Sequence, residues 1–170
     1  SGKIILGKVG FAPIPAFSFN SPIVIGFLSI KKKRFSYEPD LAVGLNGIPW
    51  MANHWFRYTF MEEKKIRLNA GINPSLFFKN EWIDSGVKIL HVSRNFTSEL
   101  RALYKVSERA SLTLTYQYIY ALGRGTLSGS FLDLSSTITV LQISELVHVK
   151  FQPQLFYFNF EGDVDGIYTS

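Results

Sequence analysis

From Ser111 to Tyr120 the chain alternates one residue at a time. Leu112, Leu114, Tyr116, Tyr118 and Tyr120 fall on one side, and Ser111, Thr113, Thr115 and Gln117 on the other. Successive side chains of a strand point to opposite faces, so the pattern predicts a strand with one apolar and one polar face. The apolar face changes from aliphatic to aromatic along its length. Tyr104 and Lys105 lead into this strand through a turn at Val106-Ser107-Glu108-Arg109, so the whole stretch reads as a hairpin.

The same period returns along the chain. Residues 3–11 predict a short first strand, and Pro13, Pro15 and Pro22 make 12–22 irregular. Residues 23–30 are apolar on both faces and end at a basic turn, 31–34. Phe35, Tyr37, Pro39, Leu41, Val43 and Leu45 then alternate with Ser36, Glu38, Asp40, Ala42, Gly44 and Asn46, and Asn46-Gly47 is a strong hairpin signal. Trp50, Ala52, His54, Phe56, Tyr58 and Phe60 alternate with Asn53, Trp55, Arg57 and Thr59 as far as a second charged turn, 62–65. Ile66, Leu68, Ala70, Ile72, Pro74, Leu76 and Phe78 alternate with Arg67, Asn69, Gly71, Asn73, Ser75 and Lys79, before a loop at 80–86. In the extended stretch 87–105, Phe96, Leu100, Ala102 and Tyr104 oppose Asn95, Thr97, Glu99, Arg101 and Lys105. Beyond a loop at 123–130, Leu132, Leu134, Ile138 and Val140 carry the apolar face to a turn near Ser144 and Glu145. Val147, Val149, Phe151, Pro153, Leu155 and Tyr157 alternate with His148, Lys150, Gln152 and Gln154. A turn at 161–166 precedes a last strand that reads as incomplete.

Hairpin follows hairpin, and helical spacing is nowhere convincing. The expectation is an all-β, antiparallel up-and-down barrel of about 8–10 strands. Residues 1–170 form a single β-barrel domain in this reading, with 1–20 irregular.

Alternation alone does not say which face looks inward. A soluble barrel puts apolar residues inside; a transmembrane barrel reverses this, because lipid is its outer solvent. Three features favour the reversal. The apolar faces are zoned: Phe35, Tyr37, Tyr58, Phe60 and Tyr104 lie near the charged turns, and Trp50, Phe78, Tyr118, Tyr120 and Tyr157 near the opposite strand ends. Aliphatic residues such as Leu41, Leu68, Leu100 and Leu114 lie between, as two aromatic membrane-interface belts around an apolar band would require. The strands are long enough to cross a bilayer, which takes about 9–11 tilted residues. The polar faces are rich in Ser, Thr, Asn, Gln and Gly, which suits a hydrated lumen. Against the reversal stand His54, in mid-strand on the apolar face, and Pro39, Pro74 and Pro153, each of which removes a ladder donor.

Composition narrows the chemistry. Hydrophobic residues make up 46% and charged residues only 18%, so the polar faces are largely uncharged. The absence of cysteine excludes thiolate metal sites, thiol nucleophiles and disulfides. No apolar run reaches the length of a transmembrane helix. The net charge of +5 is spread along the chain, and its one dense run, 31–34, sits where a turn belongs.

Residues 35–46, 66–78, 110–120 and 147–160, with the short turns 31–34 and 62–65, resemble bacterial outer-membrane β-barrels of the up-and-down type. The likeness is one of pattern and covers roughly residues 21–160; no single motif carries it. It implies location in the bacterial outer membrane, with the lipid bilayer and other envelope proteins as partners; nucleic-acid binding is not expected, because the aromatics fall on the apolar face away from the cations. Such barrels often finish on a strand that closes at an aromatic residue, whereas this chain finishes Gly166-Ile167-Tyr168-Thr169-Ser170.

The polar faces gather Glu38, Asp40, Arg57, Arg67, Glu99, Arg101, Lys105, His148 and Lys150 as candidate lumen residues. In a barrel of this size side chains nearly fill the interior, so a plugged lumen of opposed charges and amides is expected. His91, Ser93 and Glu99 share a face and evoke a hydrolytic triad, but Glu99 stands roughly 20 Å or more from His91 along one strand. Asp163, Asp165 and Gly166 lack the remaining ligand spacing of a calcium loop. No catalytic residue, metal ligand or cofactor is assigned. The functional expectation is a non-enzymatic outer-membrane barrel, structural or transport-associated and a subunit of a larger envelope complex. The alternatives are a soluble β-barrel binding an apolar small molecule and an outer-membrane lipid hydrolase.

Overall fold

The computed structural model describes residues 1–8, 21–82, 88–123, 128–142, 148–161 and 164–169. The expected irregularity around Pro13 and Pro15, the turn near Ser144 and Glu145, and residues 124–127 of the loop at 123–130 lie outside them, as does Asp163.

The chain is an antiparallel, up-and-down, all-β sheet. Among the described residues its twelve strands are β1 (Gly2–Gly7), β2 (Ile23–Leu28), β3 (Ile30–Lys32), β4 (Phe35–Gly44), β5 (Pro49–Glu62), β6 (Ile66–Trp82), β7 (Lys88–Lys105), β8 (Ala110–Ala121), β9 (Gly129–Gln142), β10 (His148–Phe151), β11 (Gln154–Phe160) and β12 (Val164–Thr169). Each pairs with its chain neighbour in the order β1-β2-β4-β5-β6-β7-β8-β9-β11-β12, with β3 beside β4 and β10 beside β9.

Twelve strands occupy ten positions. β2 and β3 meet β4 in one continuous register (Phe27 opposite Asp40, Ile30 opposite Tyr37), and Ser29 only interrupts the ladder. β10 and β11 likewise share one register on β9 across Pro153, since Phe151 faces Ile138 and Gln154 faces Ser135. Proline withholds a donor there without moving the strand. Between β10 and β9 the register slips at a bulge: Val149 faces Leu141 but Lys150 faces Thr139, leaving Val140 unopposed.

The turns follow from local chemistry. Gly47 takes φ +79°, a left-handed conformation that glycine adopts without a Cβ clash. Its N–H bonds the Gly44 carbonyl at 2.9 Å, while Asn46 Oδ1 accepts from the Ile48 N–H at 3.1 Å. The basic turn is tighter than the run of cations suggests. Lys31 and Lys32 are paired in β3, opposite Ser36 and Phe35, and Lys33 turns the chain at φ 54°.

β1 and β12 stand at the two ends of the strand order, and among the described residues the sheet is not closed into the expected barrel. Alternation states where each side chain points; it does not state whether the first and last strands meet. The chain forms two compact units. The first is Ser1–Arg57, Ile72–Phe96 and Ala121–Thr126; the second is Tyr58–Gly71, Thr97–Tyr120 and Leu127–Ser170.

Burial in both units runs opposite to that of a water-soluble sheet. In the second unit Thr113, Thr115 and Asp133 are at most 9% exposed, while their neighbours Leu112, Leu114, Leu132 and Leu134 are all above 40%. In the first unit Asn73, Ser75 and Asn95 are buried, and Ile72, Leu41 and Val43 are exposed. An apolar exception sits in the first unit, where Ile23, Ala42 and Trp50 form a buried cluster.

Candidate functional site

The register of β8, β9, β10 and β11 sets the polar face of the second unit out in rows. Directly opposite residues in a paired sheet share a face, so each row is a set of neighbouring side chains. The first joins Arg109, Thr139 and Lys150. The next holds Ser111, Thr137 and Gln152, whose Nε2 donates to Thr137 Oγ1 at 3.2 Å. Thr113, Ser135 and Gln154 follow, then Thr115, Asp133 and Phe156. The last rows are Gln117, Phe131 and Phe158, and Ile119, Gly129 and Phe160. The face thus passes from cations through hydroxyls and amides to one carboxylate, and ends in aromatic rings.

Each zone has its own way of satisfying its atoms. Buried Asp133 accepts a hydrogen bond from Gln154 Nε2 at 2.6 Å, and buried Glu99 accepts from Gln117 Nε2 at 2.8 Å. A carboxylate out of water needs such donors. At the aromatic end, Tyr168 of β12 stacks on Phe158 with ring centroids 5.0 Å apart and on Phe156 at 5.6 Å. Gly166 makes room for this: a Cβ there would lie 2.5 Å from the Tyr168 ring. Gly129 has the same kind of role, since its Cβ would lie 2.4 Å from the Asn159 carbonyl oxygen.

In the first unit Glu38 and Arg57 form a part-buried ion pair at 2.5 Å, and Arg57 also lies over the Trp55 ring, 4.2 Å from its centroid. Asp40, half-buried, follows Glu38 on the same face of β4. Asn73 Oδ1 accepts the His54 N–H at 2.7 Å. The His54 side chain turns instead to the other face, where its Nδ1 shares a 2.8 Å hydrogen bond with Tyr37 Oη.

Of the expected lumen residues, the structure brings together Glu38 with Arg57, and Lys105 with Lys150. Arg67 pairs with exposed Glu62 at the β5–β6 turn rather than deeper in the face. Arg101 is half-buried on β7, and His148 opens β10 with its backbone opposite Gln142. His91 and Ser93 are half-buried, and Glu99 is engaged by Gln117. Among the described residues no group of three His, Cys, Asp or Glu could hold a metal ion. Of the expected interface aromatics, Phe35, Tyr58, Phe60, Tyr104, Tyr120 and Tyr157 are exposed. Tyr37, Phe78 and Tyr118 are half-buried, and Trp50, 3% exposed, is packed on Ile23 instead.

Comparison with protein families, with curated proteins and with solved structures found no match.

Sequence reasoning missed Asp133, although its parity between Leu132 and Leu134 marks the polar face. It also missed the rings of Phe131, Phe156, Phe158 and Phe160, because β11 is largely apolar on both faces and offers little alternation to follow. Lys64, Lys65 and Arg109 were read only as turn residues. With Lys105 and Lys150 they bound a cleft of about 630 Å³ at the cationic end of the polar face.

Proposed function

We propose that this chain is an integral outer-membrane β-barrel, non-enzymatic, with a structural or transport-associated role as a subunit of a larger envelope assembly. The observation that carries the reading is the inverted burial. Leu114, Leu134 and Leu155 form one exposed aliphatic row across three strands, and Tyr116, Leu132 and Tyr157 form the next. An aqueous surface has no use for continuous apolar rows of this kind, whereas a hydrocarbon solvent favours them. A soluble barrel holding an apolar ligand needs the reverse orientation, with these leucines on the buried side. The polar face is equipped for internal water: Asn95 is 2% exposed, and neither atom of its amide meets a protein partner.

In lipid the edges of β1 and β12 have to be paired, by each other or by strands of another envelope protein. That requirement supports the assembly role. A path along the graded rows would be narrow, and its cations favour anionic solutes.

Membrane fractionation tests the proposal. The protein should stay in the outer membrane through carbonate and urea washes and should migrate differently on gels before and after boiling. Release into buffer would end the membrane reading. Leu134→Arg sharpens the test, because a cation facing hydrocarbon costs about 2–4 kcal/mol at mid-depth. The same change on a water-exposed surface stays within about 0.5 kcal/mol. Unfolding in lipid vesicles by urea, followed by tryptophan fluorescence, separates the two outcomes.

A further inference from the structure

We propose that the cleft bounded by Lys64, Lys65, Lys105, Arg109 and Lys150 binds a phosphate-bearing polyanion. It goes beyond the membrane proposal and does not depend on it, since the site consists of turn and polar-face residues only.

The backbone sets this charge density. The Lys105 N–H, at the end of β7, bonds the carbonyl of Lys65, just before β6, at 2.8 Å, so the two lysines stand opposite each other. Like charges in that relation are destabilising. Arg109 and Lys150 flank Thr139 in the next strands, two strand spacings or roughly 10 Å apart at the backbone. Against these five cations the cleft offers, among the described residues, a single carboxylate, Glu108. Among the described residues none of the five is ion-paired. Their repulsion is relieved when a multivalent anion sits between them.

The remaining lining names the class of anion. The hydroxyls of Ser111, Thr137 and Thr139 open onto the same cleft, and they can donate to phosphate oxygens while the lysines act as point charges. The volume of about 630 Å³ exceeds that of one phosphate and suits a polyphosphate, a phosphorylated sugar or a phospholipid headgroup.

Calorimetric titration of the full chain, folded in nonionic detergent, with tripolyphosphate supplies the first arm. The second is native mass spectrometry after reconstitution in mixed phosphatidylglycerol and phosphatidylcholine. Saturable tripolyphosphate binding that falls about tenfold or more in Lys105→Gln/Lys150→Gln supports a soluble ligand. Retention of phosphatidylglycerol by the wild type and its loss in that variant supports a lipid headgroup. Lys79→Gln, on β6 but outside the lining of the cleft, should change neither by more than about twofold. Lys105→Arg/Lys150→Arg, which keeps the charge, should retain binding and guards against a folding artefact. Absence of binding in both arms overturns the site, as does an equal loss in Lys79→Gln and the double glutamine variant.

Discussion

In the first unit the part-buried cation Arg57 meets Glu38 at 2.5 Å; in the second, Lys65, Lys105, Arg109 and Lys150 end the polar face without an ion pair among the described residues. Both faces carry charge on strands whose other side is apolar. The first neutralises a part-buried cation from the neighbouring strand; the second pairs Arg67 with Glu62 at its turn and leaves the cations of the cleft without an ion pair among the described residues. A charge pair drawn from two adjacent strands ties those strands together and fixes their side chains. Cations that share one end of a face repel one another across strands that stay hydrogen-bonded, and leave a place for an outside anion. The first arrangement is a structural device and the second a receptive one.

The comparison breaks most readily at Glu38. Glu38→Gln takes from Arg57 the carboxylate it pairs with at 2.5 Å and leaves Asp40 on the same face of β4, whereas breaking a fully buried pair costs about 3–5 kcal/mol. Because the Glu38 side chain is 32% exposed, screening lowers the expected loss to about 2–3 kcal/mol. Urea unfolding in detergent should show it, and Arg57→Met combined with Glu38→Leu should recover most of it. A loss near zero for Glu38→Gln would place the pair with ordinary surface ion pairs. Gly129→Ala comes next, at about 2 kcal/mol, because its methyl meets backbone in β11 rather than a movable side chain. Thermal unfolding on unboiled gels reads that change, and an unaltered midpoint would mean that the strands can spread. Lys105→Gln is the smallest: stability should rise or hold within about 0.5 kcal/mol, because a like-charge contact with Lys65 is removed. A clear destabilisation would show Lys105 to be structurally engaged, like Arg57.

Much of the fold could be read before any coordinates. The alternation in β4, β6, β7 and β8 placed Asp40, Asn73, Glu99 and Thr115 on one face and Leu41, Ile72, Leu100 and Leu114 on the other, and the structure has them so. Period-two patterning reports the pleat directly, and that is why it succeeds. It fails where the pleat is not the deciding influence. Trp50 is buried because Ile23 and Ala42 leave room for a large ring, a matter of packing between distant segments. The phenylalanines of β11 alternate with Leu155, Tyr157 and Asn159, a mixed set that does not mark a face, so their side is settled by the register with β9. The cation cleft escaped for another reason: its members come from separate turns and strand ends, which only strand order brings together. Strand order also decides closure, and no local pattern encodes it.

The bulge at Val140 has the character of a count rather than of a contact. Up to Thr139 the odd-numbered residues of β9 belong to the polar side, yet Leu141, the next odd position, is 52% exposed beside exposed Val149. One unopposed residue has changed the parity of the strand tip. What position 140 supplies is therefore its existence, and Thr or Ile would serve as well as Val. Deleting it would restore strict odd–even order and leave Leu141 where it is, opposite Val149 on the exposed side, now as the ordinary outward neighbour of Thr139.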